Sequence, residues 1–498
     1  MSPPRNTIKE GYLWTPTSVT DGLPTHATVQ GTQVTYLKSS YDVIVIGAGF
    51  TGLTAARDLS LTYNLRVLLI DARDRIGGRT WTANVLGEDL EMGGTWVHWN
   101  QPHVYRELHR YNLHRGLKTS AGTTNTEKQW FLPKDAGVGG ITNVGEEESA
   151  KLEEIAQQVF TIDGLDSRTL MPFPHDSLRE PAPWKKYDHL TLRDRLDQIT
   201  GFTKREKGLF ESNTNTFGSA PASEIGFVEA LRWFALGGHS MAGVFELAGV
   251  FKLGKGGMTA FARSMFAEFR GDSIFGGVVK EVKQVAGGVE VRMVDGSMKR
   301  AKVVVSTIPL NCLSDIKFTP PLSPLRQEAI ATGQINQGAK IHFKLRETLP
   351  GWFFTAEPGR SRFVFAFSDH NGTQPSSPSG TYCIGFGYNG SFTDKTDGKA
   401  IVSAFNEDIN PNYTVEAYAT HDWMNDPYAK GAWACWGPGC TSKYLKALQE
   451  PHGRVIFASA DWADGWRGFV DGALERGQVA VRDVLALLGT KLPGTAKL

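Results

Sequence analysis

Residues 41–79, YDVIVIGAGFTGLTAARDLSLTYNLRVLLIDARDRIGGR, leave few folds open. Val43 to Ile46 is an unbroken β-branched run, which reads as a short strand buried on both faces. The chain then turns through Gly47, Gly49 and Gly52 into a helix carrying Leu53, Ala56 and Leu59, and a second strand, Val67 to Ile70, ends at Asp71. The three glycines serve different ends. Gly47 permits the tight turn, Gly49 lets backbone N–H groups approach a pyrophosphate, and Gly52 lets the helix pack closely on the strand. The helix N-terminus then faces phosphate charge. GxGxxG alone is a weak signal; strand, turn, helix, strand and a well-spaced acid together predict a dinucleotide-binding unit. Asp71 is expected to accept hydrogen bonds from a ribose and to repel a 2′-phosphate, the alternative being that it caps the next turn.

Further along, residues 118–254 read as helices and loops, with helices expected at 148–160, 203–211 and 224–236. Strand character returns over 255–328, where VVV at 303–305 followed by Thr307 and Pro309 reads as a buried strand leaving a sheet. Residues 329–426 read as strands and turns, with SDHNGTQPSSPSG at 368–380 as a surface loop. Near the end, Val455 to Ala458 reads as a strand leading to Asp461, and Leu474, Val481, Leu485 and Leu488 mark one side of a helix.

The bulk numbers narrow the class. With 498 residues, 41% hydrophobic and 21% charged, the chain is a globular protein of two or more domains. A net charge of +1 gives no reason to expect nucleic acid or an anionic membrane as partner. Cys312, Cys383, Cys435 and Cys440 have no CxxC pairing, so neither zinc nor a disulfide framework is indicated and no metal is expected. The first residues lack the apolar core of a signal peptide, and no apolar run is long enough to span a membrane. The chain finishes Ala496, Lys497, Leu498, close to the SKL address, so a peroxisomal location is expected, otherwise a cytoplasmic one.

RDRIGGR at 73–79 and GGTWVH at 93–98 are not parts of a plain nicotinamide fold. With the glycine turn they resemble the flavin-dependent amine oxidases, most closely the soluble fungal monoamine oxidase branch, from about residue 41 to the C-terminus. The resemblance implies an α/β fold. A Rossmann-type FAD-binding domain is built from residues 40–117, 255–328 and 427–490, and an α+β substrate-binding domain from 118–254 and 329–426, with an arm at 1–39 and a tail at 491–498. It places Asp71, Ala72, Arg73, Arg75, Gly78, Arg79, Gly94, Thr95, Trp96, Val279, Thr307, Asp461 and Ala473 against the cofactor, the tail helix directing its positive end at the flavin. Asp71 departs from the family's more usual Glu.

KGAWACWGPG at 430–439 has too little periodicity for a helix and too much Gly and Pro for a central strand, so its tryptophans read locally as loop anchors. The resemblance gives Trp433 another role, as one of two rings facing the flavin, with Phe469 as the other; such a cage attracts an ammonium while its dry walls favour the neutral amine. Trp436 is left as packing. Ala432 stands where animal monoamine oxidases carry the cysteine that links to flavin, so FAD is expected to be non-covalent, with Cys435 too far along to substitute. Lys340 alternates with apolar residues as a solvated strand face would, but the resemblance assigns it to hold a water at flavin N5 and to assist reaction with oxygen.

The implied reaction passes a hydride equivalent from the carbon beside the amine nitrogen to flavin N5, giving an imine that water hydrolyses, with O2 reduced to H2O2. Catalytic candidates are Lys340, Trp433 and Phe469; Asn213, Phe245 and Asn336 are candidates for the substrate pocket. A small-molecule amine and O2 are the expected partners, and a homodimer is left open. Polyamine and L-amino acid oxidation are the competing activities within the class, although no arginine for a substrate carboxylate is identifiable. A flavoprotein scaffold without chemistry is a further alternative. GHSMA at 238–242 lacks the strand and second glycine of a hydrolase elbow, and the histidines at 98, 103, 109 and 114 match no metal motif.

Overall fold

The computed structural model describes residues 9–124, 126–135, 140–369 and 380–490. The arm's first residues, the expected loop at 370–379 and the tail at 491–498 with its Ala496-Lys497-Leu498 lie outside the described residues. Two sheets organise the chain, and the α/β class expected from the sequence is the one observed.

Among the described residues, the first sheet has eight strands. In spatial order, Asp272–Phe275, Val67–Asp71, Ser40–Ile46, Met298–Ser306, Gly288–Met293, Val279–Val285 and Lys317–Thr319 lie side by side, with Val455–Phe457 beside the far half of Met298–Ser306. Ser40–Ile46 runs parallel to both neighbours, Val43 opposite Val67 and Val303. Because strand side chains alternate, Val43 and Val45 face one core while Ile44 and Ile46 face another. The first core packs the glycine-turn helix Phe50–Leu61, the helix Gly257–Glu268 and the long tail helix Val470–Leu488 on one face. Strands from three distant stretches thus meet where the first helix begins.

The second sheet has nine strands among the described residues, and Lys340–Leu345 lies between Val415–Thr420 and Thr381–Gly387. Its further strands include Phe363–Ser368 and Trp352–Ala356. Helices Glu146–Val159, Lys204–Thr214 and Phe227–Leu236 form where helices were expected, joined by Met241–Gly249 in one apolar cluster. No helix among the described residues is long and apolar enough to cross a membrane.

Two expectations need correction. The arm contains a hairpin, Tyr12–Thr15 with Ser18–Asp21, which forms the edge of the second sheet by pairing with Val415–Thr420. The region read as strands and turns also contains the helix Gly398–Asp408, capped by the Asp397 carboxylate on the Ala400 N–H and buried through Ile401, Ala404 and Phe405.

Candidate active site

At the glycine turn, local sterics match the sequence. Gly47 has φ 104°, and a Cβ on Gly52 would lie 1.8 Å from the Gly47 carbonyl oxygen. Only a residue without a side chain lets the helix close on the strand. No side chain caps Phe50–Leu61, and Gly49, Phe50 and Thr51 line a large cavity, so the first N–H groups of the helix are available to an anion there.

Asp71 ends its strand at the same cavity. Its Oδ2 accepts the Ala48 N–H at 2.6 Å and its Oδ1 the Arg73 N–H at 2.8 Å, so one carboxylate both caps the turn and lines the cavity with Ala72 and Arg73. Burial pushes its pKa up. Arg75 is a correction: it is fully buried behind the lining, donates to the Gly78 carbonyl at 2.7 Å, pairs with Glu10 at 2.5 Å and faces Trp81. It shapes the turn that presents Gly78. Arg73 pairs with Glu10 and with Asp426. Glu10, His421 and Asp426 bring ligand-type atoms within 4.8 Å of one another, but the two arginines already neutralise these carboxylates.

The cavity, about 550 Å³, continues past Gly78, Arg79, Gly94, Thr95, Val279, Thr307 and Ala473 to a wall of rings. Trp433 donates its indole N–H to the Phe217 carbonyl at 2.7 Å and meets Phe386 edge-on, with centroids 6.0 Å apart. Phe469, at the N-cap of the tail helix, packs on Trp233 at 4.8 Å and on Trp466 at 4.9 Å. Trp96, Trp233, Phe245, Phe365 and Phe367 complete this end. The Phe residues 365 and 367 were not anticipated, although FVFAFS repeats them at the strand period of two. Trp233 was hidden in a helix whose sides are nearly all buried.

Lys340 projects into the same region from the second sheet. Its Nζ donates to the Glu91 carbonyl at 2.7 Å, the Gly93 carbonyl at 2.9 Å and Thr95 Oγ1 at 2.6 Å, and lies 5.1 Å from the Trp96 ring. Burial pushes its pKa down, against the pull of Glu91 and Asp369.

Three further expected residues stand off the cavity. Asp461 is fully buried, its Oδ1 accepting from Arg79 at 2.5 Å and its Oδ2 from the Leu310 N–H at 2.8 Å; it fixes Arg79, which also donates to the Ala432 carbonyl. Asn213 turns its amide back onto the Leu209 carbonyl of its own helix. Asn336 is fully buried, and its carbonyl accepts the Ala432 N–H, so it braces the loop behind Trp433. Of the three pocket candidates, Phe245 alone reaches the lining. Trp436 packs under Arg467 at 3.8 Å, and Ser240 caps Met241–Gly249.

Comparison with known proteins shows the family. A sequence profile described as flavin containing amine oxidoreductase matches residues 50–485. The chain belongs to that family. Pseudooxynicotine dehydrogenase from a Pseudomonas species is 32% identical over 91% of this chain and 87% of its own length. Nicotine dehydrogenase from Pseudomonas putida is also 32% identical, over 90% of this chain and 89% of its own. Among solved structures, a putrescine oxidase shares the fold with TM-score 0.72 at 19% identity, covering 90% of this chain and 99% of that one.

As a flavin-containing amine oxidoreductase, the chain has residues that fit FAD. The uncapped helix start suits a pyrophosphate, Asp71 still offers lone pairs beside the strand end, and a side chain on Gly49 would project into the space next to Gly78. The tail helix begins at the cavity through Val470 and Ala473, so its positive end faces the ring-lined half.

Proposed function

We propose that the chain oxidises a primary amine, with an extension to secondary amines, to an imine that water hydrolyses to an aldehyde or ketone, and that O2 is reduced to H2O2. Bound FAD supplies the two-electron acceptor. The observation that carries the substrate reading is the character of the ring-lined half. Among the described residues, the lining has two carboxylates: Asp71 ends a strand of the first sheet, and Asp315, which ends the short helix Leu310–Asp315, is paired with Lys430 at 2.6 Å. The far ammonium of a polyamine would be buried among rings without a counter-charge, which costs several kcal/mol. An amino acid would bring a carboxylate to Lys340, whose Nζ already donates to three acceptors. A monoamine with an apolar body meets neither problem.

Trp433 and Phe469 would hold the amine between flat faces, and their apolar surroundings favour the neutral form with the lone pair that oxidation needs. The cofactor is proposed to be non-covalent. Ala432 offers no thiol, Cys435 lies off the cavity against Gly218, and burial pushes the Cys312 thiol, which does reach the lining, up to about 12. A thiol so disfavoured as thiolate is a poor nucleophile.

The purified protein should be yellow, should bleach anaerobically with benzylamine or hexylamine, and should release all its flavin on acid precipitation. Under air, kcat/KM from peroxide release should fall by at least about 100-fold for putrescine or leucine. Preference for putrescine would overturn the monoamine reading. Two relatives are named dehydrogenases, which favours a second reading in which another acceptor replaces O2; turnover that needs an added dye and yields no peroxide would establish it.

A further inference from the structure

One acid in the first turn of the tail helix has no part in the chemistry above. Asp471 stands between Val470 and Ala473, both on the cavity wall, and is itself fully buried. Its Oδ1 accepts the Val104 N–H at 2.8 Å, satisfying an amide at the start of the helix Pro102–Arg110 that has no side-chain cap of its own. Its Oδ2 has no hydrogen-bond partner. The titratable group facing it is Glu475, one turn along the same helix; from the neighbouring helix it is the His103 backbone N–H that faces it, while the His103 imidazole lies toward Gln478, Arg106 and His175. The glycine-turn helix meets the tail helix through uncharged Thr51 and Thr54. Among the described residues, no cation forms an ion pair with Asp471.

The N-terminus of a long helix carries about half a positive charge, and here the N-cap Phe469 contributes no side chain to neutralise it. A carboxylate in that first turn opposes this field with a full negative charge. We propose that Asp471 is an electrostatic positioning residue for the flavin reaction: its charge sets how strongly the tail helix favours negative charge on the bound cofactor. The inference rests on the flavin reading and adds to it a residue that touches neither substrate nor cofactor. Burial, opposed by the Val104 N–H and reinforced by Glu475, pushes the carboxyl up to about 7. Below that pH the helix field acts undiminished, and above it the carboxylate cancels part of it.

The test is the equilibrium reduction potential of the holoprotein, read against a redox dye. At pH 8.5, Asp471→Asn should shift the two-electron equilibrium about tenfold toward the reduced form, which is about 30 mV. At pH 6, where the native carboxyl is protonated, the difference should shrink to less than about twofold. Asp471→Glu keeps the charge and should track the native protein. Asp471→Ser keeps an acceptor for the Val104 N–H without charge, and should reproduce the Asn shift if the Asn protein does not fold. A yellow protein whose potential is unmoved at pH 8.5, or moved equally at both pH values, would overturn the inference alone. A colourless protein that takes up no added FAD would overturn the flavin reading beneath it.

Discussion

Lys340 shows how far three hydrogen bonds can fix a charge. Its acceptors are two carbonyls and the Thr95 hydroxyl, and that hydroxyl gives its own proton to the Gly93 carbonyl at 2.9 Å. A neutral amine has two hydrogens to donate, so three acceptors call for the ammonium, held against the burial that pushes its pKa down. With its N–H groups on these three acceptors, Lys340 is held between the rings of Trp96 and Phe386, and we propose that it acts on the flavin reaction as a positive charge, alongside the water-holding role that the resemblance implied. Stopped-flow on Lys340→Met should therefore show reoxidation by O2 slowed by about tenfold or more, with anaerobic bleaching by amine changed only a few-fold. Equal losses in both half-reactions would make the lysine a structural peg.

At the level of elements, the glycine-turn helix is positioned by one carbonyl. Gly52→Ala would drive a methyl into the Gly47 oxygen at 1.8 Å, and two backbones cannot move apart without opening the sheet. That protein should purify colourless or insoluble. Gly49→Ala, whose Cβ would find its nearest neighbour at 3.7 Å, should fold and lose only cofactor affinity, read as a lower ratio of visible to ultraviolet absorbance. Such features were legible in the sequence because the demand is local: one position, one missing side chain. The pocket asparagines were not. In Lys204–Thr214 every residue from Gly208 on is buried, so polarity gives no phase, and Asn213 spends its amide on its own helix. The N-terminal hairpin was illegible for another reason: four-residue strands carry little alternation, and the partner of Tyr12–Thr15 is Val415–Thr420, at the other end of the chain. The aromatic wall lies between these cases, since FVFAFS had the right period but nothing in it named the face.

Across the whole molecule, the N-terminal segment fastens the two sheets together. Its hairpin extends the second sheet, while the Ala27 carbonyl accepts the Ile76 N–H, Val29 donates to Asp74 and Thr32 donates to Ser273 of the first. Leu23 and Ala27 are fully buried among Trp81, Trp423 and Ala429. Glu10 is the counter-ion of Arg75, and a buried charge left unpaired costs about 3–5 kcal/mol. Deleting residues 1–32 keeps the entire glycine turn, yet should release the cofactor and lower the unfolding temperature, measured by flavin fluorescence during heating. Glu10→Gln is the milder form and carries a pH signature. Burial would raise this carboxyl, but Arg75 and Arg73 outweigh it and hold it down to about 2 against an ordinary 4.5. The native state therefore binds fewer protons than the unfolded chain between those values, so this contribution is complete above pH 4.5 and is lost as pH falls toward 2. Glu10→Gln should be less stable than the native protein at pH 7, and the gap should narrow through that acid window. A truncated protein that kept its flavin at the native unfolding temperature would show instead that the two sheets hold the cofactor without the strap.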